Sequence, residues 1–142
     1  MATNAKRSEA AVNAAMTAMG ALANSGVLRL FDGTQPATAD TNYTGAEHIL
    51  AELTMSAGAF GAASGGVIVA AAITPDTDAN ASGTATWYRL YKSGGSGNTD
   101  VVCDGNVGVA GAGCDLTMNA VGIVQHASVL VTGLTLTDLK NA

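Results

Sequence analysis

The feature that most constrains the fold is a change in hydrophobic period at Asn24-Ser25-Gly26. Before this point, apolar residues recur every three or four positions, as on one face of a helix. After it, they alternate or cluster in short runs typical of strands. Gly, Asp and Asn separate these runs and indicate turns. The sequence therefore predicts an N-terminal arm or helix over residues 1–25 and a β domain over residues 26–142.

The predicted helix covers about residues 8–23. Ser8 is a suitable N-cap, and Glu9 places a negative charge at the positive end of the helix dipole. One apolar stripe runs along this helix and contains Val12, Met16 and Met19. Two interpretations of the stripe are open, because it can pack on the protein's own sheet or form a subunit contact with a neighbouring chain.

About seven or eight short strands are expected after the helix, and their spacing favours an antiparallel β-sandwich. The clearest is the alternating run 84–92, which is expected to be the central strand and to place Trp87, Tyr88 and Tyr91 in the core. The run 67–73 is apolar throughout and predicts a strand covered on both faces. The other predicted strands are 27–31, 47–55 with one buried face, 101–103, 115–118, 127–131 and 134–137, with a turn or bulge at 104–105 and a loop at 107–113.

Charged side chains are unusually scarce. Six Lys and Arg and eleven Asp and Glu make up 12% of the chain and give a net charge of -5, whereas soluble domains average about 25% charged residues. Proteins that bind nucleic acid carry the opposite balance, so no nucleic-acid partner is expected. A sparsely charged surface rich in small residues is typical of a part that neighbouring molecules cover.

No motif for catalysis, metal binding or cofactor binding is found. The Gly-rich segment 94–97 has no Lys after it and predicts a turn rather than a phosphate loop. His48 and His126 stand apart from any metal-ligand spacing, and His48 is expected to be a hydrogen-bonded structural residue. We therefore expect a protein that is not an enzyme and has no catalytic residues, metal or cofactor. No apolar run is long enough for a membrane helix, so no membrane partner is expected.

Two cysteines, Cys103 and Cys114, leave three alternatives open. They can form a local disulfide, cross-link neighbouring chains, or remain free thiols. The first two would staple the structure covalently. The third would make them small apolar side chains that pack in the protein.

Several segments resemble small structural proteins of tailed bacteriophages. They are LRLFDGTQPA (28–37), AELT (51–54), AFG (59–61), GTATWYRL (83–90), DGNVG (104–108) and VLVTGLTLT (129–137). The likeness covers most of the chain. It implies a virion protein of the head-decoration, neck-collar or tail type, assembled in the host cytoplasm.

The resemblance also implies many copies of the chain, with other copies and other virion proteins (capsid, portal, neck or tail) as partners. Symmetric high-copy arrays bury sparsely charged surfaces, which agrees with the composition. The alternative function is a β-sandwich module that binds glycans or a host surface through Trp87 or Tyr91.

Overall fold

The computed structural model describes residues 5–43, 48–95 and 97–138. Within these residues the chain forms one α-helix, nine strands and a short 3-10 turn at Asn98–Asp100. The elements are α1 (Glu9–Leu22), β1 (Val27–Phe31), β2 (Ile49–Thr54), β3 (Val67–Val69), β4 (Gly83–Thr84), β5 (Trp87–Tyr91), β6 (Val101–Val109), β7 (Leu116–Met118), β8 (Gly122–Ile123) and β9 (Gly133–Thr137). The predicted mainly β class with an N-terminal helix is confirmed.

Helix α1 begins and ends where the sequence predicts. The Ser8 Oγ accepts a hydrogen bond from the backbone N–H of Ala11 at 3.1 Å, which satisfies one of the free N–H groups at the helix start. The helix ends before Gly26, where a glycine is needed because a Cβ atom would collide with the backbone carbonyl of Tyr91 in β5. This close approach turns the chain directly from the helix into the sheet.

Seven strands form one sheet in the order β2-β1-β5-β6-β7-β9-β3, and β4 and β8 form a separate pair. Every pair is antiparallel except β6–β7, which is parallel. The long strand β6 holds the large sheet together, because its first part pairs with β5 and its last three residues pair with β7. The large sheet is therefore mixed rather than wholly antiparallel as the sequence predicts, and the sandwich arrangement stays a prediction.

Four details of the predicted strands are wrong. Alternation along 47–55 predicts that Leu50 lies on the face opposite the buried Ala51 and Leu53, but Leu50 is buried in the core, at a register shift in the β1–β2 pairing. The run 67–73 is a strand only at Val67–Val69, and Val69 on its outer face is 56% exposed. The run 127–131 forms a single bridge at Val129 rather than a strand, and the predicted loop 107–113 starts inside β6.

The inner face of the sheet packs against α1 and forms the main core. Its residues are apolar and come from the helix and from most strands. They include Val12, Met16, Leu28, Leu30, Leu50, Leu53, Ile68, Tyr88, Leu90, Leu116, Leu134 and Leu136. The helix therefore shares one core with the sheet, and this burial supplies the main driving force for folding.

The outer face of the first four strands carries a row of alternating charge. Arg29 in β1 lies opposite Glu52 in β2 and Arg89 in β5, and Arg89 lies opposite Asp104 in β6. Arg89 makes two bonds to Asp104, with Nε–Oδ1 at 2.6 Å and Nη2–Oδ2 at 2.8 Å. Arg29 Nε lies 3.2 Å from a Glu52 oxygen. We call these four residues the charged row.

Aromatic rings and the loop 32–43 cover the charged row. The Arg29 guanidinium lies 4.8 Å from the ring centre of Tyr91, and that of Arg89 lies 5.5 Å from Trp87. Trp87 stacks on Phe31 at 4.1 Å and donates a hydrogen bond to the carbonyl of Asp32 at 2.9 Å. Since Trp87, Tyr88 and Tyr91 are all buried, their predicted core role is confirmed.

Both free edges of the large sheet are partly occupied by the chain itself. Segment 74–81 runs along β2, where the N–H of Thr54 bonds to the carbonyl of Thr74 and the N–H of Asn80 to that of Leu50. Segment 59–64 runs along β3, where the N–H of Gly61 bonds to the carbonyl of Val69. Covered edges resist the addition of a strand from another molecule.

The charged row predicts that removing a buried carboxylate destabilises the fold much more than removing an exposed one. Asp104→Asn leaves the Arg89 guanidinium buried without its counter-charge, so we expect the free energy of unfolding in urea to fall by about 3 kcal/mol or more. The control is Asp78→Asn, which removes a carboxylate that pairs with His126 at a similar length, 2.7 Å, but with both side chains 74% exposed. That change should cost less than about 1 kcal/mol. Equal losses for the two variants would contradict a structural role for the row.

Candidate functional site

Three residues singled out from the sequence meet at one cavity. Met16 and Met19 of α1 face Cys103 of β6 across a space of about 250 Å³. Two carboxylate residues, Asp104 and Asp115, also line it. The remaining lining comes from the end of the chain described by the structure, at Leu136, Thr137 and Asp138. Sequence spacing gave no sign of this meeting, because helix, strand and C-terminal segment are far apart in the chain.

A hydroxyl and a carboxylate converge beside this cavity. Gly105 in β6 lies opposite Tyr88, and a Cβ atom at Gly105 would be 2.5 Å from both the Tyr88 Oη and an Asp115 oxygen. Glycine is required there because the Tyr88 ring crosses over the strand. The Tyr88 hydroxyl is buried and has no hydrogen-bond partner in the described part of the chain.

Burial favours the neutral forms of three groups beside the cavity, the Cys103 thiol, the Tyr88 hydroxyl and the Asp115 carboxyl. It raises the pKa of the Cys103 thiol to about 12 and raises the pKa of Tyr88 and of the Asp115 carboxyl above their usual values. A thiol with such a pKa is a poor nucleophile near neutral pH, since the thiolate is the reactive form. The thiol at this cavity is therefore not activated for chemistry.

The two cysteines are free thiols on opposite faces of β6, so the local disulfide is not formed. Side chains alternate along β6, so Cys103 lies on the inner face with Gly105 and position 108 lies on the other face. The Cys114 Sγ is on that other face, 2.7 Å from where a Cβ of Gly108 would be. The five residues from 103 to 108 span roughly 16 Å of strand, which exceeds the reach of a disulfide. An interchain cross-link remains a proposal.

The apolar stripe of α1 is used mainly within the chain. Val12 and Met16 are 5% and 7% exposed and belong to the core, while Met19 is half-buried at the cavity. A subunit contact through this stripe has little free surface available. Leu22, at 49%, is the large apolar side chain that α1 leaves exposed, alongside several exposed alanines.

Both histidines form pairs with aspartates on the surface. The His48 Nδ1 lies 3.0 Å from Asp32, and its backbone N–H donates to the same carboxylate at 2.6 Å. These bonds lower the pKa of Asp32, with the backbone bond making the largest contribution. The predicted role of His48 as a hydrogen-bonded structural residue is confirmed. His126 pairs with Asp78 at 2.7 Å.

No group of three or more His, Cys, Asp or Glu side chains within the described ranges is placed to hold a metal ion. No helix in that part of the chain is both long enough and apolar enough to cross a membrane. No protein-family model, curated protein or solved structure matches the chain significantly.

The raised pKa of Asp115 predicts a pH-dependent stability difference. The folded protein holds this proton to higher pH than the unfolded chain, so the free energy of unfolding falls as pH rises above about 4, the ordinary aspartate value. Asp115→Asn removes this loss. We expect the variant to be the more stable protein at pH 7 and equal to the parent below pH 3.5, measured by urea denaturation at each pH. A variant that is less stable at pH 7 would show that the Asp115 carboxylate stabilises the fold.

Proposed function

We propose that this protein is a structural component of a tailed-phage particle, assembled in many copies on the head, neck or tail. The carrying observation is that large apolar side chains remain exposed on a chain with few charges. They are Leu22, Val69, Val109, Val124 and Leu130, each 43–65% exposed. Scattered exposed residues are normal in monomers, but here only 12% of residues are charged. Burial by neighbouring subunits compensates for such a surface.

The rigidity of the sheet supports a role as a building block. The charged row fixes four strands to one another, and the loop 32–43 is bonded over it, since Arg89 donates to the carbonyl of Thr41 at 2.9 Å. A block with a fixed shape loses little conformational entropy when it joins an assembly. Many weak contacts between such blocks give a stable particle.

The resemblance to phage structural proteins supports the same function and adds its setting. The resembling segments include the exposed loop that starts at Asp32 as well as buried strands. They imply localisation in the virion, with assembly in the host cytoplasm and with capsid, portal, neck or tail proteins as neighbours.

The alternative glycan-binding function loses its main support. A sugar platform needs an exposed aromatic face, but Trp87 and Tyr91 are each 1% exposed. Trp87 is also stacked on Phe31. Neither ring can reach a glycan unless the loop 32–43 opens, so the structural function is preferred.

The proposal predicts self-assembly of the purified protein. Multi-angle light scattering over a hundredfold range of concentration should give discrete masses that are multiples of the 14.0 kDa chain. Electron microscopy of the same samples should give closed rings or regular arrays. A mass of one chain at every concentration would contradict assembly by the protein alone.

The same measurement with and without reductant tests the cysteines. Cys114 is the better candidate for an interchain cross-link, because Cys103 lies at the cavity beneath α1. A cross-link at Cys114 would give a covalent oligomer that reductant removes. The Cys114→Ser variant should lack this oligomer, and the Cys103→Ser variant should retain it. If the parent with reductant, the parent without reductant and the two variants all give the same assemblies, the contacts are purely non-covalent.

A further inference from the structure

Two long stretches of the sequence contain no charged residue. Neither 53–75 nor 116–137 includes a Lys, Arg, Asp or Glu, so every charge in the chain lies outside them. The protein has a net charge of -5, so two copies repel each other electrostatically, and this repulsion comes from the other segments of the chain.

The fold brings the two uncharged stretches together. Strand β3 from the first pairs with β9 from the second, and β9 pairs with β7. Beyond β3, the N–H of Ala70 donates to the carbonyl of Leu134 at 2.9 Å. A hollow of about 190 Å³ between residues 70–73 and 131–134 continues the same surface.

The outer side of these three strands is an exposed face without charge. Side chains alternate along a strand, so Ile68 and Leu136 point inward and are buried, while Val69 and Thr135 lie opposite each other and point outward. We call the outer side the uncharged face and define it by its exposed residues Val69, Thr132 and Thr135.

The polar groups next to this face can lose water at low cost. The Thr132 Oγ1 donates to the carbonyl of Thr117 at 2.9 Å and lies 3.2 Å from the Thr117 hydroxyl. Polar groups that already form hydrogen bonds within the chain need no new hydrogen-bond partner when an interface excludes water. Segment 59–64 occupies the edge of β3, so another molecule meets the face of the sheet rather than its edge.

We propose that the uncharged face is an interface at which two copies of this chain meet face to face. The inference rests on the proposed function, and it names the surface and the arrangement. Two copies at -5 carry a net repulsion between their charged surfaces, and an uncharged face laid on a charged surface would strip water from its charges. Contact between two uncharged faces avoids both costs and gives a two-fold, self-complementary interface.

The test adds charge to the face. Val69→Asp/Thr135→Asp places four negative charges across a two-fold interface and should weaken association at least about 100-fold. The control, Thr54→Asp/Thr84→Asp, adds the same charge at exposed strand positions outside the face and outside the exposed apolar set. Circular dichroism and thermal melting check that both variants fold. Light scattering across a dilution series measures the association.

A second variant tests the face-to-face arrangement independently. Val69→Lys/Thr135→Lys should also be monomeric alone, because like charges again face each other. Mixed in equal amounts, the Asp and Lys variants should associate, since opposite charges now meet. Recovery on mixing requires that the same face is present on both partners.

The outcomes separate this inference from the proposed function. Monomeric face variants, an assembling control and recovery on mixing support the face-to-face contact. Face variants that assemble like the parent overturn the inference and leave the structural function in place. Folded monomeric variants that do not recover on mixing overturn the face-to-face arrangement. A parent protein that never assembles contradicts both proposals.

Discussion

The charged row is the interaction on which the rest of the sheet depends. Arg29 and Arg89 lie directly opposite each other on neighbouring strands, an arrangement that is destabilising unless each charge is neutralised. Glu52 and Asp104 do this from the two outer strands. A shift of one residue in any of the three pairings would turn a charge into the apolar inner face, so the row fixes the register of four strands. It also holds the loop that covers Trp87.

The sequence predicts elements whose pattern is local. The helix and strand β1 follow from apolar periodicity, a cap and turn residues, and β5 stands out by its aromatic alternation. The sequence does not predict the parallel β6–β7 pair, because that pairing depends on where distant strands lie. The exposure of Val69 was missed for the same reason, since an apolar residue at an edge looks like one in a core. Alternation along 84–92 puts Arg89 on the same strand face as Trp87, which is correct, but the sequence predicts a turn or bulge at its partner Asp104 rather than a strand residue.

The candidate site shows the same limit. The stripe residues Met16 and Met19 follow from helical spacing, but their meeting with Cys103 depends on the packing of α1 on the sheet. The convergence of Tyr88 and Asp115 on Gly105 could be found only in three dimensions. The one sequence sign of this convergence is a glycine opposite a tyrosine on paired strands. It can be recognised only when the register of the two strands is known.

Charge and edges are distributed so that the uncharged face remains open for contact. The charged row binds its charges internally, segments of the chain cover both sheet edges, and the uncharged face is left exposed. An electron cryo-microscopy structure of the assembled protein tests this account most directly. It should show β3 and β9 of two copies in contact across a two-fold axis, with Val69 and Thr135 buried. An assembly in which these residues face solvent, and charged surfaces form the contacts, would contradict the account.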